Sequence, residues 1–271
     1  MIVDTHTHMD ILSSPRERNI YGVKTSDLDE YLHGFRLNNV DACWVFPIVS
    51  LRSDAFIRQE NEALAAARRR YPQRLYPFGT VWPSWPEDKL REEIRYAIEV
   101  LKLHGLKFLP ICQGGVSLAD SKMDVVAEEA TRLGVPVFFH DGSPQYCSAI
   151  QVAYYARKHP QLRVVSGHGG LRELWPDIVE AARELPNLYV CLSGPTQWGL
   201  QKLYDELGPE KLMFGSDGGI GSPAVTTAYL RRIDRLRASP EDKERILGVN
   251  AMRLLFGERW KDRRPENDQA E

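Results

Sequence analysis

Eight times along this chain a short, nearly continuous apolar run is followed by a stretch whose apolar residues recur at helical spacing. The runs begin at the N-terminus and continue at 42–46, 75–81, 104–108, 135–140, 163–168, 188–192 and 211–217. Each is too short and too uniformly apolar for an amphipathic helix, and suits a strand buried on both faces. The intervening helical patterns cover about 26–39, 54–70, 86–103, 124–133, 144–158, 172–185 and 196–207, with two more at 224–237 and 240–256. Their stops are chemically reasonable: Tyr71-Pro72 ends one, and Gly134 supplies the left-handed C-terminal residue of another. Ser239 before Pro240 is the matching start signal. Strand–helix alternation of this kind predicts an α/β protein and a (β/α)₈ barrel, although a doubly wound open sheet reads similarly. The 271 residues fit one such domain. Residues 1–257 are expected to form it, with 258–271 a charged, mobile tail.

Charge narrows the function classes. A formal net charge of −2 leaves no basic footprint for nucleic acid or an anionic membrane surface, so the expected partner is a small molecule. No apolar segment approaches the ~18 residues that span a bilayer, and no basic-then-apolar leader opens the sequence. The four cysteines, Cys43, Cys112, Cys147 and Cys191, are far apart and mostly inside apolar runs, which favours reduced thiols and a cytoplasmic location.

In a barrel the chemistry collects at the carboxyl ends of the strands. Read in order, those ends present His6 and His8, Pro47, Trp82, Lys107, His140, His168, Ser193 and Asp217. Four of the seven histidines stand there, a concentration that packing alone does not require. With side-chain period two, His6 and His8 point the same way from the first strand. His6, His8, His140 and Asp217 together offer three imidazole nitrogens and a carboxylate, a set suited to Zn²⁺ or another borderline divalent ion with a position left for water. Water bound to such an ion is acidified toward a pKa of about 7, which points to hydrolysis.

Asp217 has a second duty open to it, accepting the proton of the attacking water. His168 is a fifth polar group, placed either to hydrogen-bond the substrate carbonyl or to pass a proton to the leaving group. Lys107 has two readings, as a carbamylated bridge between two metals or as an ammonium facing an anionic substrate. Arg52 and Trp82, with Trp85 and Trp198, fall in loops of the same face and are candidate pocket walls. His33, His104 and His159 lie away from the strand ends and are expected to be structural or superficial.

These segments together resemble the amidohydrolase superfamily, in its amidohydrolase-related branch that includes 2-amino-3-carboxymuconate-6-semialdehyde decarboxylase and related hydrolases. The resemblance is carried by Val3-Asp4-Thr5-His6-Thr7-His8, Tyr71-Pro72-Gln73-Arg74-Leu75, Gly105-Leu106-Lys107, Val137-Phe138-Phe139-His140, Gly167-His168-Gly169-Gly170, Phe214-Gly215-Ser216-Asp217 and Ile246-Leu247-Gly248-Val249-Asn250-Ala251. It implies a distorted barrel, a divalent ion on His6, His8, His140 and Asp217, and a non-ligand catalytic role for His168. It also implies a homodimer, as in decarboxylating relatives. Two residues beyond Lys107, where the branch often carries histidine, this chain has Leu109. The expected activity is hydrolysis of a small amide, ester or lactone, with decarboxylation of an aromatic or unsaturated acid as the alternative.

Overall fold

The computed structural model describes residues 1–9, 28–47, 56–142, 145–219 and 224–263. Eight parallel strands appear in the expected order: β1 (Val3–Met9), β2 (Ala42–Pro47), β3 (Leu75–Pro77), β4 (Leu106–Phe108), β5 (Val137–Phe139), β6 (Val164–Ser166), β7 (Leu188–Cys191) and β8 (Leu212–Met213). They alternate with α1 (Leu28–Arg36), α2 (Ile57–Arg70), α3 (Glu87–Arg95), α4 (Ser121–Leu133), α5 (Ala149–Lys158), α6 (Trp175–Glu184), α7 (Gln197–Leu207) and α8 (Ala224–Asp234), and α9 (Pro240–Glu244) and α10 (Asn250–Phe256) follow.

The ladder runs continuously from β1 to β3 and from β4 to β8, and single bridges join the two arcs into a ring. Gly79 pairs with Leu106 between the third and fourth strands, and Thr7 with Gly218 between the first and eighth. Backbone bonds from Lys107 N to Gly79 O (2.7 Å) and from His8 N to Gly218 O (2.8 Å) hold the seams. The open-sheet alternative is thereby excluded, since β1 bonds to both β2 and the end of β8.

Inside the ring large side chains face small ones. Trp44 stacks on Phe78, with ring centroids 4.9 Å apart, and Phe46 lies against Phe138 at 4.6 Å. Glycine makes room for them: a Cβ on Gly105 would come within 2.4 Å of Phe78, and one on Gly167 within 2.5 Å of Phe138. Between strands and helices a second apolar layer buries Leu90, Ile94, Phe108, Val126, Phe139 and Tyr155.

Helix starts follow side-chain caps more closely than apolar spacing. The helix expected from 144 begins at Ala149, because Ser148 and Gln151 form a reciprocal capping box. The helix expected from 124 begins earlier, at Ser121, where Asp120 accepts from Lys122 N at 2.9 Å. The long helix expected over 86–103 changes to a π turn at Tyr96–Val100, as does the last one at Arg245–Val249. The expected cap at Ser26 and the start at Asp54 lie outside the described residues.

The strands' N-terminal ends are plugged by α10 and the 3₁₀ segment Gly257–Arg263. Phe256 packs edge-on to Tyr76 and His104, and Trp260 is buried. The fold therefore runs past 257: the first residues of the expected tail are ordered, because Trp260 has an apolar place to go. Cys43, Cys147 and Cys191 are buried free thiols. Among the described residues no helix is long and apolar enough to cross a membrane.

Candidate active site

β1 is the longest strand and carries a register shift between Asp4 and Thr7 in its pairing with β2. A bulge at this point adjusts the strand's twist just before its functional end, a recurrent use of such irregularities. His6 and His8 project into the barrel mouth with their Nε2 atoms 3.1 Å apart. Asp217, beyond β8, brings Oδ1 to 3.1 Å from His6 Nε2 and 3.2 Å from His8 Nε2. It does so with φ of 55°, a left-handed backbone that is strained for a residue with a Cβ.

Neighbouring groups hold that strained turn. Asp4, wholly buried, accepts from Ser216 N at 2.9 Å, Ser216 Oγ at 2.5 Å and His6 N at 3.2 Å. Burial nonetheless pushes the Asp4 carboxyl up to about 7. Across the mouth Asp141, equally buried, accepts from His168 N at 2.5 Å, Gly170 N at 2.6 Å and Ser166 Oγ at 2.8 Å. Two carboxylates thus clamp the turns that present Asp217 and His168.

His168 lies between the two halves of the site. Its donor atom falls within 4.8 Å of those of His6 and Asp217, while its Nε2 is 2.8 Å from His140 Nδ1. His6, His8, Asp217 and His168 therefore form one cluster, and His140 joins it through His168. Burial pushes His6, His140 and His168 below the usual imidazole range, so these rings are neutral and their nitrogens available as ligands.

The donor set fits a cation. Gly167 O can only accept, so His6 Nδ1, 2.9 Å away, carries the ring proton and Nε2 carries a lone pair. That lone pair, the Asp217 carboxylate oxygen and His8 Nε2 meet at 3.1–3.2 Å. A tetrahedral ion with bonds of about 2.0–2.1 Å separates its ligands by about 3.3 Å. His8 Nδ1 is buried without a hydrogen-bond partner, so no neighbour on that side fixes the ring's tautomer.

Lys107 is 1% exposed, with Nζ 3.4 Å from His6 Nε2 and 4.4 and 4.8 Å from the ring centres of Phe138 and Phe46. Burial lowers its pKa to about 8. Trp82 is half-buried against the outer core, beside Gly114. Arg52 lies outside the described residues. Beside Leu109, Gln113 is fully buried and ties the loop after β4 to the third strand's end, accepting from Leu109 N and donating to Thr80 Oγ1 and Val81 O. Sequence reasoning left three contributors without a role: Asp4, Asp141 and Ser193. Asp4 and Asp141 carried a usable signal, each being an acid beside a strand-end histidine; Ser193 carried little beyond its place at the end of the seventh strand.

The structure is similar to several solved ones. It matches 5-carboxyvanillate decarboxylase from Sphingomonas paucimobilis at 16% identity and a TM-score of 0.72, over 94% of this chain and 98% of that one. It matches 2,6-dihydroxybenzoate decarboxylase complexed with 2,6-dihydroxybenzoate at 17% identity and a TM-score of 0.73, over 94% and 98%. 4-Oxalomesaconate hydratase from Rhodopseudomonas palustris matches at 17% and 0.70, over 94% and 95%. No curated protein matches the chain in sequence. At these identities the likeness establishes the barrel fold. Enzymes of the amidohydrolase superfamily generally use a divalent metal, and the cluster of His6, His168 and Asp217 has the donors for one. The family model described as amidohydrolase matches residues 3–257, and the chain accordingly belongs to the amidohydrolase family, as an enzyme.

Proposed function

We propose that the protein is a metal-dependent hydrolase of a small amide, ester or lactone. The observation that carries this reading is the approach of the Asp217 carboxylate to within 3.1 and 3.2 Å of His6 and His8 Nε2. In this reading His6, His8, His140 and Asp217 hold the ion, with Zn²⁺ the best match to imidazole and carboxylate donors. When bound, the ion acidifies water and polarises a carbonyl oxygen. Asp217 takes the proton released by the attacking water, since it is the carboxyl group that stands beside His6 and His8 at the mouth. His168 receives that proton and delivers it to the leaving group, which returns both residues to their starting states. Phe46 and Phe138 form an apolar floor that strengthens these electrostatic interactions. Lys107, Arg52 and Trp82 are assigned to substrate contact.

Decarboxylation is the second reading. It is favoured by the names of two structural neighbours and by Lys107, a buried amine held by His6 and two phenyl rings rather than by a carboxylate among the described residues. Such a group suits a substrate carboxylate.

The test is turnover in H₂¹⁸O by Zn²⁺-loaded protein, offered esters, lactones, amides and aryl carboxylates. Incorporation of ¹⁸O into the product supports hydrolysis. Release of CO₂ without incorporation overturns it in favour of the second reading, and no turnover of any class overturns both.

A further inference from the structure

Ser193, two residues beyond β7, touches two of the site's imidazoles with one hydroxyl. Its Oγ is 2.8 Å from Gly167 O, 2.9 Å from His168 Nδ1 and 3.3 Å from His6 Nδ1. A serine has one proton to give, and Gly167 O can only accept. At 2.8 Å these two oxygens need a proton between them, so the hydroxyl points at Gly167 O. Toward His168 the Ser193 oxygen is then an acceptor, and His168 Nδ1 must be the protonated nitrogen. The same carbonyl takes His6 Nδ1 at 2.9 Å, which fixes that ring in the same tautomer.

The consequence travels further. With the proton of neutral His168 on Nδ1, its Nε2 bears a lone pair, and the nitrogen 2.8 Å away, His140 Nδ1, has to supply the proton between them. His140 is left with its lone pair on Nε2. We infer that Ser193 is a positioning residue, setting the tautomers of His168 and, through it, His140, so that His168 starts the reaction as a proton acceptor at Nε2.

This inference rests on the hydrolytic reading for its consequence, though not for its geometry. It separates the two duties open to His168. A ring with a lone pair on Nε2 cannot donate to a substrate oxygen at the outset; it can take a proton and then release it, as the carrier role requires. The burial of Ser193, 3% exposed, keeps water from competing for the hydroxyl.

The test is a long-range ¹H–¹⁵N correlation spectrum of the histidine rings in the full chain, metal-free and Zn²⁺-loaded, where the two tautomers have distinct nitrogen shifts. The wild type is expected to show His168 and His6 protonated on Nδ1. S193A is expected to release His168 into a tautomer mixture and to lower kcat by about 10–100-fold, with KM unchanged. S193T keeps the hydroxyl and is expected to restore the wild-type spectrum and rate. An Nε2–H tautomer for His168 in the wild type, or an unchanged spectrum in S193A, overturns the inference. The wild-type spectrum decides even where S193A fails to fold, and it stands apart from the fate of the hydrolytic reading because it needs no substrate.

Discussion

At the scale of single residues the site is a contest between burial and pairing. His6 is fully buried, which keeps its ring neutral, and Gly167 O dictates which nitrogen carries the proton. Asp217 is more open, its side chain 39% exposed, and brings one oxygen to 3.1 and 3.2 Å from the Nε2 atoms of His6 and His8. D217N keeps the shape and removes the charge; turnover is expected to fall by about 10²–10⁴-fold, with metal stoichiometry reduced, measured by steady-state kinetics and elemental analysis. Equal turnover by the variant would exclude Asp217 as the proton acceptor. H6A is expected to lose the ion altogether, checked by dialysis against Zn²⁺ and metal analysis. The pairing of His6 with His8 was legible in the sequence, because period two in a strand puts alternate side chains on one face. The pairing of His140 with His168 was not, since it depends on how the ends of β5 and β6 turn, and that turn is set by the Asp141 clamp.

At the scale of elements, α3 and α4 show how a charged residue earns a place inside. Glu129 on α4 is 2% exposed and accepts from Arg95 at 2.6 Å, Arg132 at 3.1 Å and Arg91 at 3.1 Å. The Arg95 hydrogen bond leads in pulling its carboxyl down to about 2, against the opposing effect of burial. The folded value is below the ordinary 4.5, so the unfolded chain binds the proton first as pH falls. The stabilisation is therefore complete above about pH 5 and fades between there and pH 2. E129Q is expected to cost about 2–3 kcal/mol at neutral pH, less than the full shift implies because the arginines are partly solvated, and to flatten the acid limb of urea-denaturation midpoints. Helix existence was readable from apolar spacing. Helix starts were not, wherever a cap residue such as Ser148 or Asp120 overrode that spacing. Nor was the brevity of β8, whose later residues leave the ladder to clamp onto Asp4.

At the scale of the whole molecule, the barrel separates stability from chemistry by end. The mouth holds strained and charged groups, while the opposite end is closed by Val249, Met252, Leu254 and Trp260 against Val3 and Ala42. W260A removes the outermost part of that plug and is expected to cost about 3 kcal/mol. Chemical denaturation checks the loss, and metal stoichiometry should be unchanged because the site is at the other end. The strand–helix alternation, the parallel sheet and the residues at the strand ends were determined by the sequence alone, because periodicity and chain order are local properties that burial must respect. Closure of the ring at Thr7 and Gly218, the convergence of Asp217 on His6 and His8, and the shared hydroxyl of Ser193 were decided only by the tertiary structure. The physical reason is distance along the chain: atoms about 3 Å apart in the site belong to residues that lie up to 212 positions apart, and no local pattern encodes the curvature that brings them together.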